Sequence, residues 1–94
     1  MNGQGPARAT AIIVNKRGLH ARASAKFVET AARFQSEVTV TKGDASVSGR
    51  SIMGLMMLAA SLGSSIELAA QGPDASEAVA ALVALISAKF HEDA

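Results

Sequence analysis

The order of strand-like and helix-like segments is the feature that most constrains the fold of this chain. Short stretches rich in β-branched residues or strictly alternating residues predict four strands, namely TAIIVNK (10–16), SEVTVTK (36–42), ASVSG (45–49) and SSIELAAQ (64–71). Helical periodicity predicts helices over 21–34, 51–63 and 74–90. The order β-α-β-β-α-β-α favours the α+β class, as a two-layer open-faced β-sandwich in which three helices cover one face of a four-stranded antiparallel sheet.

Capping residues set the expected starts of the last two helices. Ser51 is a good N-cap and Gly63 a good C′ residue, and Asp74 with Glu77 forms the pattern of a capping box. Three apolar sets follow helical spacing and are expected to face the core: Ala23, Phe27, Ala31 and Phe34; Leu55, Leu58, Ala59 and Leu62; Val79, Leu82, Val83, Ile86 and Phe90.

The middle helix has a second apolar side, formed by Ile52, Met53 and Met56. Either this helix is buried on all sides, or it exposes a small methionine-rich patch for a partner. The periodicity alone leaves both alternatives open.

Composition narrows the class of protein. The 94 residues contain 49% hydrophobic and 18% charged residues, which fits one compact domain. There is no cysteine, so disulfides, thiolate catalysis and cysteine zinc sites are excluded. No apolar run is long enough for a membrane span and 1–8 lacks the apolar core of a signal peptide, so we expect a protein of the cytoplasm that does not associate with membranes.

Positive charge is concentrated around one of the two histidines. The segment NKRGLHARASAKF (15–27) places Lys16, Arg17, Arg22 and Lys26 near His20, which indicates either a locally positive binding surface or an ordinary solvated face. Nucleic acid is not an expected partner, because the chain has no Trp or Tyr and a net charge of only +1.

The sequence offers His20 few conventional roles. No second His, Asp or Glu lies at metal-ligand spacing, since the nearest carboxylate in sequence is Glu29, and no serine-nucleophile signature is present. His20 can instead act as a nucleophile for a phosphoryl group, because the predicted helix behind it would present unpaired N–H groups, Arg22 would add donors and Gly18 would let the backbone turn. A plain N-cap role for His20 remains an equally open alternative. His91, near a helix C-terminus, has a structural explanation in the helix dipole.

Two separated motifs give the chain a family resemblance. GLHARAS (18–24), followed by SIMGLMML (51–58) thirty-one residues after the histidine, resembles the HPr family of phosphocarriers of the bacterial phosphoenolpyruvate-dependent phosphotransferase system. The resemblance covers residues 9–90 as one HPr-like domain, with 1–8 as a flexible N-terminal tail and 91–94 as a frayed C-terminus. The ending ALISAKFHED resembles the nitrogen-related branch, NPr.

The resemblance implies a set of functional residues and partners. His20 would accept a phosphoryl group on Nδ1 from phosphorylated enzyme I and donate it to an enzyme IIA-type acceptor, assisted by Arg22 and by the surrounding Gly18 and Ala23. Ser51 would be the target of an HPr kinase/phosphorylase. The docking face would comprise Arg17, Lys26, Ile52, Met53 and Met56. No cofactor or metal is implied, and a shuttle between partners suggests a monomer.

One position departs from the family pattern, and one other function stays open. The family usually has proline after the arginine, whereas this chain has Ala23, so we expect a slightly less rigid but competent loop. The carrier would take part in group transfer without being a turnover enzyme by itself. The alternative is a regulatory binding module on the same fold that works through Ser51 phosphorylation and docking and does not use His20.

Overall fold

The computed structural model of the chain describes residues 6–92. Four strands form one sheet: β1 (Ala7–Ile12), β2 (Glu37–Lys42), β3 (Ala45–Ser48) and β4 (Ser65–Gln71). Three helices connect or follow them: α1 (Ala21–Ala31), α2 (Ile52–Met57) and α3 (Ala75–Ser87). A three-residue turn, Lys89–His91, closes the described chain and is called the C-terminal turn below.

The sheet is antiparallel throughout, in the order β1-β4-β2-β3. Its central strands β2 and β4 pair Val40 with Leu68. The helices cover one face of the sheet. The alternate strand residues that point to that face are therefore buried: Ala11, Val38, Val40, Ile66, Leu68 and Ala70. Exposed residues such as Arg8, Thr10, Thr39 and Glu67 line the other face. The predicted α+β open-faced sandwich is confirmed.

The helices contribute the other half of the core. Phe27 from α1, Leu55 from α2, and Leu82 and Ile86 from α3 are all at most 1% exposed. The interior also contains Phe90, which follows α3 in the C-terminal turn. Burying side chains of this size contributes about 1.5–3 kcal/mol each before entropy is counted.

The middle helix is shorter than predicted. It ends at Met57, not at 63, because the chain turns at Leu58 and Ala59 takes a positive φ of 53°. Leu58 reaches the core, but Ala59 and Leu62 are exposed, contrary to the prediction. The opposite side of α2 is also exposed, so the structure selects the exposed methionine-rich patch over burial on all sides.

The other two helices also differ from the predictions. α3 ends at Ser87, not at 90. α1 ends at Ala31, so Phe34 lies beyond it and is half-buried. Asp74 occupies the N-cap position of α3 but makes no side-chain capping bond there. Its carboxylate instead accepts hydrogen bonds from the backbone N–H groups of Gln35 and Ser36, at 3.0 and 2.9 Å, and from Oγ of Ser36 at 2.6 Å.

Both ends of the predicted domain are extended by the described residues. β1 begins at Ala7, inside the segment expected as a tail, and residues 1–5 lie outside the described residues. At the other end, His91 and Glu92 make defined contacts, while 93 and 94 lie outside the described residues.

Candidate functional site

The loop between β1 and α1 is held by backbone bonds at both of its ends. The N–H of Ile13 donates to the carbonyl of Ser64 at 2.9 Å, which continues the β1–β4 pairing past the end of the strand. The N–H of Leu19 donates to the carbonyl of Ala60 at 2.9 Å. The residue that follows, His20, is therefore presented from a fixed backbone.

Gly18 is the residue that allows this attachment. Its φ is +63°, and a Cβ built on it would lie 2.3 Å from the carbonyl oxygen of Ala60. A side chain would therefore meet both backbone strain and a collision with the α2–β4 connection. Gly18 acts through the backbone that precedes the histidine.

His20 is the N-cap residue of α1. Its backbone is extended, with φ −73° and ψ −179°, and its carbonyl accepts from the N–H of Ser24 at 2.9 Å. Nδ1 of its ring accepts from the backbone N–H of Arg22 at 3.3 Å. The lone pair of Nδ1 therefore points at the positive end of the helix dipole.

A carboxylate lies on the other ring nitrogen, and no motif in the sequence predicts it. Oε2 of Glu92 contacts Nε2 of His20, and the two side chains are 9% and 15% exposed. Since Nδ1 is an acceptor in this geometry, the proton of a neutral ring lies on Nε2 and is donated to Glu92. Seventy-two positions separate the two residues, so no local spacing could have identified the pair.

Asn15 fixes the second oxygen of that carboxylate. This side chain is fully buried, and its Nδ2 donates to Oε1 of Glu92 at 3.1 Å and to the carbonyl of Gly18 at 2.9 Å. Its Oδ1 has no partner among residues 6–92. The Gly18 carbonyl and the Glu92 carboxylate can only accept hydrogen bonds, so the Asn15 amide must present its NH₂ group to them.

The Glu92 carboxyl is held in its ionised form. Burial raises its pKa, but the hydrogen bonds from His20 and Asn15, with the nearby charges of His20 and Arg22, outweigh burial and lower the pKa below its ordinary value of 4.5. The group beside Nε2 is thus a carboxylate at neutral pH.

The C-terminal turn brings Glu92 to the histidine. Lys89, Phe90 and His91 all have positive φ, at 58°, 54° and 60°, a conformation that costs about 1 kcal/mol or more for each such residue. Burial of the Phe90 ring and a 2.7 Å hydrogen bond from Nζ of Lys26 to the Phe90 carbonyl hold the turn in place.

The other residues expected to stabilise a phosphate follow His20 directly. Arg22 is exposed and Ala23 is fully buried. The N–H groups of Arg22 and Ala23 precede Ser24, whose N–H bonds to the carbonyl of His20, so both belong to the first turn, whose donors have no intrahelical partner. The Ala23 side chain packs inward and can act on a ligand only through its backbone.

The expected docking residues differ in exposure and in the contacts that they make. Arg17 is exposed, whereas Lys26 is partly buried and uses its ammonium group on the C-terminal turn. Ile52, Met53 and Met56 are 40%, 70% and 40% exposed. Met57 is also exposed, at 79%, as is Leu62, at 56%, although Leu62 was predicted to face the core.

Ser51 begins α2 as its N-cap. Its Oγ accepts from the N–H of Gly54 at 2.9 Å, and its backbone N–H donates to the carbonyl of Ser48 at 3.1 Å. The side chain is partly exposed. The hydroxyl oxygen therefore caps the N-terminus of α2 by accepting from Gly54.

Two classes of site are absent from residues 6–92. That part of the chain contains no group of three or more His, Asp or Glu that could hold a metal ion. No helix within it is long and apolar enough to cross a membrane.

Comparison with known proteins identifies the family of this chain. Residues 7–88 match the family model described as PTS HPr component phosphorylation site. The phosphocarrier protein HPr of Neisseria meningitidis serogroup A is 60% identical over 80 residues, covering 85% of this chain and 90% of that protein. The phosphocarrier protein NPr of Shewanella violacea is 44% identical over 80 residues, covering 85% and 88%, so the NPr-named relative is less similar than this HPr.

A solved structure agrees as well. The crystal structure of HPr-C-His from Thermoanaerobacter tengcongensis superposes with a TM-score of 0.89 at 46% identity, covering 94% of this chain and 99% of that one. The family match and the fold together include the β1–α1 loop, His20 and the start of α2. The chain belongs to the HPr family of phosphocarriers of the phosphotransferase system.

Proposed function

We propose that this chain is a cytoplasmic, monomeric phosphocarrier that accepts a phosphoryl group on Nδ1 of His20 from phosphorylated enzyme I and passes it to an enzyme IIA-type acceptor. It takes part in group transfer without a cofactor and is not a turnover enzyme by itself. The observation that carries the proposal is the state of the ring: Nε2 contacts Glu92, while Nδ1 is directed at the N-terminus of α1.

The transfer step balances without any further reactant. The Nδ1 lone pair attacks phosphorus, an N–P bond forms, and the bond between phosphorus and enzyme I breaks, with its electron pair leaving on enzyme I. In the second step the acceptor attacks phosphorus and the electron pair of the N–P bond returns to Nδ1. The imidazole is regenerated for another cycle.

The residues around Nδ1 can stabilise the negative charge of the transferred phosphoryl group. The backbone N–H groups of Arg22 and Ala23 belong to the first turn of α1 and can donate to phosphate oxygens. The guanidinium of Arg22 is exposed and can turn toward the same oxygens as a fork of donors. Gly18 contributes by keeping the loop backbone close to the α2–β4 connection.

Docking is proposed to use the exposed side of α2 together with basic residues near His20. Ile52, Met53 and Met56 offer an apolar surface, and methionine side chains adapt to more than one partner. Arg17 supplies an exposed positive charge three residues before His20, which favours an acidic partner surface. Lys26 contributes its positive charge while anchored to the carbonyl of Phe90.

Ser51 is proposed as a regulatory phosphorylation site for an HPr kinase/phosphorylase. A phosphate there would add close to two negative charges at the N-terminus of α2, where the fold tolerates them. The same charge would lie next to Ile52 and Met53 on the docking face and oppose an acidic partner. Modification of Ser51 would therefore lower the rate at which His20 is phosphorylated.

The proposed function is tested by incubating the chain with phosphoenolpyruvate and enzyme I. We expect incorporation of phosphate that is acid-labile and base-stable, and no incorporation into His20→Ala. His91→Ala is the matched control, because His91 is the other histidine of the chain, and it should be labelled like the parent protein. Absence of label in the parent protein, or full label in His20→Ala, would contradict the proposal.

The exposed patch also favours one alternative. A regulatory module on this fold would use Ser51 and the apolar surface beside it to bind partners and would leave His20 unused. Such a protein would bind a partner in response to Ser51 phosphorylation but acquire no phosphate from enzyme I, so the same incubation separates the two functions.

A further inference from the structure

We propose that Glu92 is a positioning residue for phosphoryl transfer: its carboxylate holds the ring proton on Nε2 of His20 and so keeps the lone pair on Nδ1. This inference rests on the proposed function and deepens it. It assigns to the end of the chain a role in the site that neither the motif around His20 nor the match to the family specifies.

The carboxylate is itself held in one orientation. Oε1 accepts from Nδ2 of the buried Asn15 while Oε2 contacts Nε2 of His20. Asn15 is anchored in turn, because the same Nδ2 donates to the carbonyl of Gly18. The three side chains form a chain of contacts from the loop backbone to the imidazole, and this chain fixes both the plane of the ring and its tautomer.

The unpartnered oxygen of Asn15 supports this assignment. Its Oδ1 is buried and has no partner among the described residues, and a buried carbonyl oxygen without a donor is unfavourable. The opposite orientation of the amide would bring Oδ1 against the Gly18 carbonyl and the Glu92 carboxylate, which are both acceptors. Asn15 therefore donates to Glu92 and to the Gly18 carbonyl, while its own Oδ1 stays without a partner among the described residues.

The backbone conformation of the C-terminal turn also supports the assignment. Three consecutive residues without glycine have positive φ, an arrangement that persists only where the surrounding contacts impose it. Those contacts are the buried Phe90 ring and the hydrogen bond from Lys26 to the Phe90 carbonyl. The strained turn ends directly at Glu92, so the contacts that hold the turn also fix the position of that carboxylate.

The chemical consequence concerns the charge on the ring. When Nδ1 attacks phosphorus, the proton stays on Nε2 and the ring becomes cationic as the N–P bond forms. A carboxylate on Nε2 stabilises this cation. In the reverse step the ring leaves as neutral imidazole with its proton still on Nε2, so no proton has to be gained or lost in either direction.

The test compares Glu92→Ala and Glu92→Gln with the parent protein. Glu77→Gln is the matched control, since it removes an exposed carboxylate from the first turn of α3. Imidazole ¹⁵N chemical shifts of the unphosphorylated proteins, followed to alkaline pH, report the tautomer. A purely structural role of Glu92 would leave that tautomer unchanged.

We expect only the Nε2–H tautomer in the parent protein and in Glu77→Gln, and a mixture with the Nδ1–H tautomer in Glu92→Ala. The kcat for phosphorylation by enzyme I should fall about tenfold in Glu92→Ala and less in Glu92→Gln, with KM unchanged. An unchanged tautomer or an unchanged kcat in Glu92→Ala would overturn the inference. If the parent protein takes no label from enzyme I, the proposed function is contradicted instead. The tautomer measurement does not require phosphotransfer, so the two failures can be told apart.

Discussion

The backbone N–H of Arg22 donates to Nδ1 of His20 at 3.3 Å. This contact places the nucleophilic nitrogen of the ring over the first turn of α1, at a distance from which an attached phosphoryl group would meet the donors that now face the ring. The same residue carries a guanidinium on the exposed side of the helix. Arg22 can therefore act through its backbone before transfer and through its side chain during transfer.

Arg22→Ala should slow phosphoryl transfer at His20 by about tenfold to a hundredfold, because a charge-assisted hydrogen bond to the phosphoryl oxygens is lost. Arg22→Lys should recover part of the rate, since it keeps the charge without the planar fork. Rapid-quench measurement of transfer from enzyme I checks both variants. Arg33→Ala removes an exposed arginine just beyond α1 and should transfer at the parent rate; an equally fast Arg22→Ala would contradict the role.

Ser51→Ala should lower the free energy of unfolding by about 1 kcal/mol, because the N–H of Gly54 loses its acceptor. Ser51→Asp keeps an acceptor at the N-cap and should unfold like the parent protein, while its phosphorylation by enzyme I at low salt should be slower. Denaturant unfolding and transfer rates measure the two effects separately. Ser65→Asp places the same charge on β4 as a control, and a Ser51→Asp variant as fast as that control would exclude the proposed regulation.

The contact between Asp74 and Ser36 makes the free energy of unfolding depend on pH in the acid range. Hydrogen bonds from the Ser36 side chain, then from the Gln35 backbone, lower the pKa of Asp74 below its ordinary value of 3.8. Because the folded pKa is the lower one, this stabilisation is present above the ordinary value and is lost as pH falls through the folded pKa. Asp74→Asn should be less stable than the parent at neutral pH, and the difference should shrink below about pH 4. Unfolding curves across pH test this, and a difference that does not depend on pH would contradict it.

Gly18→Ala should lower the free energy of unfolding by more than about 1 kcal/mol, because it adds a collision with the Ala60 carbonyl to the cost of a positive φ. Gly43→Ala is the matched control: its φ is also positive, at +59°, but a Cβ there would meet no atom within 4 Å. Thermal or denaturant unfolding compares the two. Equal losses would show that the close approach to Ala60 contributes nothing.

The sequence predicted the architecture because the signals for it are local. Strict alternation in β2 and β4 and the spacing of Phe27, Leu82 and Ile86 each indicate one buried face, and the structure buries those faces. The end of α2 could not be predicted in this way, because no local signal marks the positive φ of Ala59, and the next residue bonds to Leu19, forty-one positions earlier. Asp74 was expected to cap its own helix, but it bonds to a segment 38 residues earlier.

Only the site residues that lie close to His20 in the sequence were predicted. Gly18, His20 and Arg22 lie within five residues, and this local pattern predicts an anion-binding helix start. Glu92 was not found, because three residues without glycine had to take a left-handed conformation to reach His20. No propensity in the sequence predicts that turn, and its cause is the packing of Phe90 and the contact with Lys26.

The central claim is that phosphorus becomes attached to Nδ1 of His20. The most direct measurement is NMR of the ¹⁵N-labelled chain after incubation with phosphoenolpyruvate and enzyme I, in which a phosphorus–nitrogen coupling identifies the bonded nitrogen. The account predicts one phosphohistidine, with the coupling at Nδ1 of His20 and with Nε2 still protonated. Coupling at Nε2, or at His91, would contradict it.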